Sequence, residues 1–193
     1  MKGNNIGSTI KFGSYPQNSE NPEPIVWKIL DKTDGAIFIV PENALDCRYY
    51  SNGTNVVWDN SDLREWLNDY FYNKAFNEQE KARIIPANIS TPPNMKFGIS
   101  GGRDTEDRIF CLSVQDAEKY MPSPEDRLIK PTPYAVQHGA KTADDGCCRY
   151  WLRTPGRHFG NAVFVSADGE IDLYGDFIKN GDKAVFMGMW IAN

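Results

Sequence analysis

Histidine is scarce in this chain, with two in 193 residues, and the four cysteines lack metal-ligand spacing. Cys47, Cys111, Cys147 and Cys148 form no Cys-x-x-Cys pair, and only His138 and His158 could add imidazoles. A structural zinc site is therefore not expected, and four thiols in a chain of this length do not make a disulfide scaffold. Positive charge is not in excess either: 21 Lys and Arg against 26 Asp and Glu leave a net charge of −5. Phosphate backbones are bound by clustered cations, so nucleic acid is not an expected partner. No apolar run approaches the roughly 20 residues that cross a bilayer, which speaks against membrane insertion. Glycine-rich phosphate loops and the Gly-x-Ser-x-Gly turn of hydrolases are missing too. The first residues, Met1-Lys2-Gly3-Asn4-Asn5, are polar and show no secretory signal, which leaves the compartment open, surface or virion display included.

What the chain does have is apolar matter enough for a core, with 40% hydrophobic and 12% aromatic residues, far from the composition of disordered tails. Its length fits one domain over residues 1–193, and no repeat, low-complexity tract or linker divides it. The first third reads as short strands. Residues 6–12 alternate weakly, and the apolar runs 25–30 and 36–40 are joined by Asp31-Lys32-Thr33-Asp34-Gly35, whose Asp-Gly step signals a hairpin. Leu63, Trp66, Leu67, Tyr70 and Phe71 then recur at i, i+3, i+4, i+7 and i+8. That spacing predicts a helix over about 61–73, with Asp59, Asn60 or Ser61 as its N-cap. Asn77 with Glu80, and Ser113 with Asp116, have capping spacing and predict two shorter helices, the first ending before Pro86 and the second near Tyr120. Between these lie two long stretches, 86–108 and 121–148, read as irregular; ordered loops of that length tend to carry function. Strands return at 150–153, 162–165, 170–174 and 184–191. Strands at both ends around central helices describe an α+β chain with an antiparallel sheet closed by the termini.

Longer signatures stand in a fixed order: Pro24-Ile25-Val26-Trp27-Lys28-Ile29-Leu30, Ala44-Leu45-Asp46, Trp58-Asp59-Asn60-Ser61-Asp62-Leu63-Arg64-Glu65-Trp66-Leu67-Asn68, Ile109-Phe110-Cys111-Leu112-Ser113 and Tyr150-Trp151-Leu152-Arg153-Thr154-Pro155-Gly156. The set resembles a bacterial domain family without assigned function that carries a W-x-x-S-x-L-R-x-W-L-N helix and a W-W-L-R-S-P-G turn. It is also similar to the C-type-lectin fold, in the version shared by formylglycine-generating enzymes and the variable proteins of diversity-generating retroelements. This resemblance implies a C-type-lectin-like domain with antiparallel sheets, two or three helices and long irregular loops. The family closes with a G-V-R-P-A-L strand where this chain reads Ala184-Val185-Phe186-Met187-Gly188-Met189-Trp190-Ile191. Either ordinary drift accounts for Phe186 and Met187, or the segment belongs to a hypervariable binding surface, as likeness to the retroelement proteins would imply. On that second reading the surface comprises Arg157, His158, Phe159, Asn161, Phe164, Tyr174, Asp176, Phe177, Phe186 and Met187. Their mixture of aromatic, amide and charged types is what protein-binding surfaces favour.

Other constellations have plainer explanations. Trp58-Asp59-Asn60 has the residues but not the order of the Trp-Asn-Asp calcium motif of sugar-binding lectins, and no Glu-Pro-Asn partner exists. Asp168, Glu170 and Asp172 alternate and could share one face as oxygen ligands, although such a run is more often the solvated face of an edge strand. No metal or cofactor is expected. Arg64 and Arg153 either bind an anion or satisfy carbonyls and a carboxylate such as Asp46 or Asp62, and the second is preferred. Trp27, Trp66, Trp151 and Trp190 fall on the apolar phase of their elements and are core candidates. Cys111 reads as a small buried hydrophobe, and Cys147-Cys148 as a free pair. His158 with Cys147 or Cys148 could form a nucleophile and its base, but no neighbour in sequence is placed to lower a thiol pKa. The expectation is a non-enzymatic protein that holds a ligand, a protein surface first of all, with Phe159, Tyr174 and Phe186 as anchors. The alternative is an enzyme of the formylglycine-generating type or an unrecognised hydrolase, favoured by a pocket that joins two of Cys147, Cys148, His158 and Asp168.

Overall fold

Asp34 and Gly35 close the hairpin expected from their Asp-Gly step. The computed structural model describes residues 5–193, so residues 1–4, most of the polar start, lie outside the described residues. β1 (Thr9–Pro16), β2 (Pro22–Thr33) and β3 (Ala36–Pro41) are antiparallel, and Thr33 pairs with Ala36. The turn is thus two residues long, with Gly35 at φ 116°, a region that side chains with a Cβ avoid. Asp31, Lys32 and Thr33, expected in the linker, continue the ladder opposite Phe38, Ile37 and Ala36. β4 (Asp46–Cys47) follows at once.

The central helix runs from Asp62 to Ala75 in three parts: α1 (Asp62–Trp66), a π-helical turn (Leu67–Phe71) and α2 (Tyr72–Ala75). Ser61 is the N-cap, accepting from Arg64 N at 3.2 Å, while Asp59 and Asn60 lie in a preceding 3₁₀ turn. Leu63, Trp66, Leu67 and Phe71 are buried as their spacing predicts, but Tyr70 is exposed. The wider π turn breaks the 3.6-residue period at that point. α3 (Glu78–Lys81) and α4 (Val114–Tyr120) open with the capping boxes Asn77–Glu80 and Ser113–Asp116. Several features stand inside the stretches read as irregular, among them a 3₁₀ turn at Glu125–Arg127. β6 (Ala87–Ile89) pairs with β7 (Thr105–Asp107), and α5 (Pro133–Gln137) begins with Thr132 as N-cap and Pro133 at its first position. A further strand, β5 (Ile84–Ile85), precedes them.

The remaining strands are β8 (Tyr150–Pro155), β9 (Asn161–Val165), β10 (Ile171–Phe177), β11 (Ala184–Val185) and β12 (Met189–Ala192). They complete two five-stranded sheets, ordered β1-β2-β3-β12-β5 and β10-β9-β8-β11-β4. Pairing is antiparallel except between β11 and β8. The architecture is α+β, with mostly antiparallel sheets and few helices.

One expected strand, 184–191, is two strands in different sheets. The chain changes sheet at Phe186-Met187-Gly188, where Gly188 exchanges two backbone hydrogen bonds with Phe110 and has the Phe38 ring 2.4 Å from where a Cβ would sit. Phe186 and Met187 therefore lie in the core between the sheets, Phe186 with its ring 5.0 Å from Tyr150. Phe164 and Asn161 on β9 are buried as well. These four cannot belong to an outward surface. Replacing Phe186 by Ala should lower unfolding free energy by about 3–5 kcal/mol. Phe177→Ala should change it by less than about 1 kcal/mol, with urea denaturation as the measurement.

Candidate functional site

β9 is flanked on both sides by strands that bulge at the same level. Three residues of β8 (Leu152, Arg153, Thr154) and three of β10 (Leu173, Tyr174, Gly175) stand against the single residue Val163 between paired positions. Bulges bend and re-aim a strand, and here they bring backbones into contact. A Cβ on Gly156 would lie 2.6 Å from Tyr174 O, and one on Gly175 (φ 71°) would lie 2.5 Å from Ala162 O. Only glycine fits at this crossing.

Asn94 bolts a loop onto the crossing. It is buried, and its Nδ2 donates to Pro155 O at 2.9 Å and to Leu173 O at 2.8 Å. Its own carbonyl accepts from Phe97 N and Gly98 N. The loop so fixed presents Met95, Lys96 and Phe97 beside β10, with the Phe97 ring 5.0 Å from Tyr174 and Lys96 Nζ 4.0 Å from the Tyr174 ring centre. On the other side, Gly156 N donates to Asn161 O and Arg157 N to Tyr174 O, closing the turn that carries Arg157, His158 and Phe159. Gly160 sits between the His158 and Phe177 rings, each within 4.0 Å of its absent Cβ.

The result is an outward surface with Met95, Phe159, Tyr174 and Phe177 exposed at 81%, 39%, 50% and 48%. Two hollows indent it. One of about 390 Å³ lies among Lys96, Ser166, Glu170, Asp172 and Tyr174. A narrower one of about 200 Å³ lies among Pro93, Met95, Val114, Glu118, Thr154 and Leu173. Of the ten residues expected here, Arg157, His158, Phe159, Tyr174 and Phe177 are exposed and Asp176 is half-buried, whereas Asn161, Phe164, Phe186 and Met187 are interior. Met95, Lys96 and Phe97 were not among the expected residues. The signal for them was the punctuation around them, Pro92-Pro93 before and Gly98 after.

Behind the surface lies a buried cation. Lys183 is fully buried between the rings of Trp151 and Phe164, at 4.6 and 4.9 Å. Its Nζ contacts Asp176 and lies 3.0 Å from Asp182 Oδ1. Burial by itself would raise both carboxyls. Hydrogen bonds from Lys183, joined at Asp176 by Asn180 and the Phe177 N–H, outweigh it and hold both below the usual carboxylate value.

The two arginines of the longer signatures find other carboxylates than Asp46 or Asp62. Arg64 pairs with Asp107 at 2.7 Å and Arg153 with Asp116 at 2.5 Å, whereas Asp46 accepts from Tyr15 and Asp62 from Asn52 N. Cys147, Cys148, His158 and Asp168 line none of the hollows above. Burial pushes the Cys148 thiol up to about 12 and raises Cys147 as well. His158 Nδ1 accepts from Gly160 N, and Asp168 is taken up by Ser166. All four thiols are free. Trp190 is half-buried rather than core, packed on Phe38 at 5.3 Å.

A family model described as a domain of unknown function, DUF6273, matches residues 34–187, from the Asp34-Gly35 turn to Met187 and so across the whole of this surface. The chain belongs to this family. No curated protein and no solved structure matches it. In this DUF6273 domain the function is therefore argued from the surface and its support.

The buried cation gives a test with a defined pH window. A carboxyl whose folded pKa is lowered contributes stability above its ordinary value and loses it as pH falls through the folded value. Lys183→Met should destabilise the protein at pH 7 by about 1–3 kcal/mol, less than for a wholly buried pair because both aspartates keep some exposure. The gap from the parent protein should close below about pH 4, as read from urea midpoints across that range.

Proposed function

We propose that this domain is a binding module that holds a protein ligand on the surface made by β10, the 157–160 turn and the 94–98 loop. The carrying observation is that Phe159, Tyr174 and Phe177 are exposed beside the close backbone crossing at Gly156 and Gly175. Apolar rings left in water on a rigid support are the usual anchors of protein interfaces, because burying them on association returns free energy without ordering a loop. We place this surface on a C-type-lectin-like framework. The arrangement that supports it has β12 inside the same sheet as β1, a second sheet, and long ordered loops between them. Since Asp176 holds the buried Lys183, likeness to retroelement variable proteins narrows to the residues that face outward: Arg157, His158, Phe159, Tyr174 and Phe177. Their exchange would leave the core packing untouched. The enzyme reading of the formylglycine-generating type draws no support from thiols that burial keeps protonated.

The reading is tested with a Phe159→Ala/Tyr174→Ala/Phe177→Ala variant used beside the parent protein as bait on lysate of the source cells. A ligand retained by the parent and weakened at least about a hundredfold by the variant is the expected result. Thermal melting should be nearly unchanged. Equal retention by the two baits would refute the assignment of the surface.

A further inference from the structure

The charges that border the aromatic surface are unevenly engaged. Three aspartates there are already occupied by their own chain. Asp172 Oδ1 accepts from Tyr174 N at 2.9 Å and Gly175 N at 3.3 Å. Asp176 is held by Lys183, Asn180 and Phe177 N. Asp168 is held by Ser166 and Glu170 N. The cations are not so engaged. Arg157 and Lys179 are exposed, and among the described residues no carboxylate pairs with either of them or with Lys96. Lys96 lies over the Tyr174 and Phe97 rings, at 4.0 and 5.5 Å. His158 accepts through Nδ1, so its neutral ring carries the proton on Nε2 as a further donor. Two exposed carboxylates of this neighbourhood, Glu170 and Glu118, pair with no cation among the described residues; Glu170 lines the same hollow as Lys96 and Glu118 the narrower one.

A chain with a net charge of −5 thus gathers free cations around its exposed rings. We propose that this surface recognises an acidic polypeptide segment carrying an apolar anchor. The segment's carboxylates meet Lys96, Arg157 and Lys179, and its anchor enters the hollow between Met95 and Leu173. The proposal rests on the protein-binding reading above and adds the chemistry of the partner. The roughly 200 Å³ of that hollow suits a single side chain rather than a helix face. Charge complementarity of this kind raises the association rate and rejects cationic competitors. A phosphate backbone would meet only three cations, with Glu170 among them, and is the weaker match.

The probes are random copolymers of glutamate with tyrosine and of lysine with tyrosine, polyglutamate, and oligo(dT), each titrated against the full chain. The glutamate–tyrosine copolymer is expected to bind, and to weaken about tenfold between low and physiological salt. Polyglutamate without tyrosine should bind at least about tenfold more weakly. Lys96→Glu/Arg157→Glu should abolish the preference, while Lys28→Glu, an exposed change on the other sheet, should leave it intact. These are surface positions, and unchanged melting checks that each variant folds. If the lysine–tyrosine copolymer or oligo(dT) binds as tightly through the same aromatic residues, the acidic-partner proposal is wrong and the aromatic binding surface stands. If the glutamate–tyrosine copolymer binds but Tyr174→Ala/Phe177→Ala leaves its affinity unchanged, both fall. Absence of binding to that copolymer at about 1 mM also overturns the proposal.

Discussion

The buried guanidinium of Arg153 is the constraint around which the second half of the chain is arranged. A charge inside a protein must meet partners on nearly every donor. Arg153 finds Cys111 O at 2.9 Å, Ser90 O at 3.1 Å and the Asp116 carboxylate. Each belongs to a different part of the chain: the segment after β7, the approach to the Asn94 loop, and the first turn of α4. Asp116 also accepts from Ser113 N, so one carboxylate caps a helix and neutralises the cation. Neighbouring residues of β8 extend the tie. Thr154 Oγ1 accepts from Val114 N, Pro155 O from Asn94, and Trp151 Nε1 donates to Arg48 O. The Tyr-Trp-Leu-Arg-Thr-Pro-Gly run is thus tied to several distant segments of the chain. It fixes the strand from which the aromatic surface is built.

The first half has a counterpart in Asp107. Its carboxylate accepts from Arg64 Nε, Trp58 Nε1 and Thr105 Oγ1. Beside it, Asn68 donates to Arg64 O and Ile109 O and accepts from Arg108 N and Ile109 N. The helix motif is thus a clamp onto the segment 105–109, much as the strand motif is a clamp onto 90–94 and α4.

Local chemistry made some of this legible in the sequence. Asp34-Gly35, Ser61, Asn77–Glu80 and Ser113–Asp116 act over three or four residues, and each forms the turn or cap that its spacing implies. Arg64 and Arg153 were legible as structural cations, but their carboxylates were not, because Asp107 and Asp116 come near only through tertiary packing. The run 184–191 looks like one strand because both halves are apolar. Its division between two sheets depends on Gly188 meeting Phe38 and Phe110, contacts far away in sequence. The same gap explains the site. Exposure of Phe159, Tyr174 and Phe177, and burial of Phe164 and Phe186, are not properties of phenylalanine or tyrosine; they follow from which side of its strand, turn or crossover each residue occupies. The 94–98 loop was invisible as a partner of β10 because one buried amide, Asn94, holds it there.

β10 is an edge strand with exposed aromatic residues, which ordinarily invites pairing with other chains. Its backbone does not offer that template. Tyr174 N and Gly175 N are taken by Asp172, Tyr174 O by Arg157 N, Leu173 O by Asn94, and Gly175 O by Asn161 Nδ2. The positive φ of Gly175 breaks the strand where a partner would have to register. A strand from another chain therefore cannot add itself across 173–175. This separates the stickiness of exposed rings from the stickiness of a free edge. It lets the surface carry apolar anchors while backbone pairing, the unspecific route to aggregation, is closed off by the same bonds that hold the anchors in place.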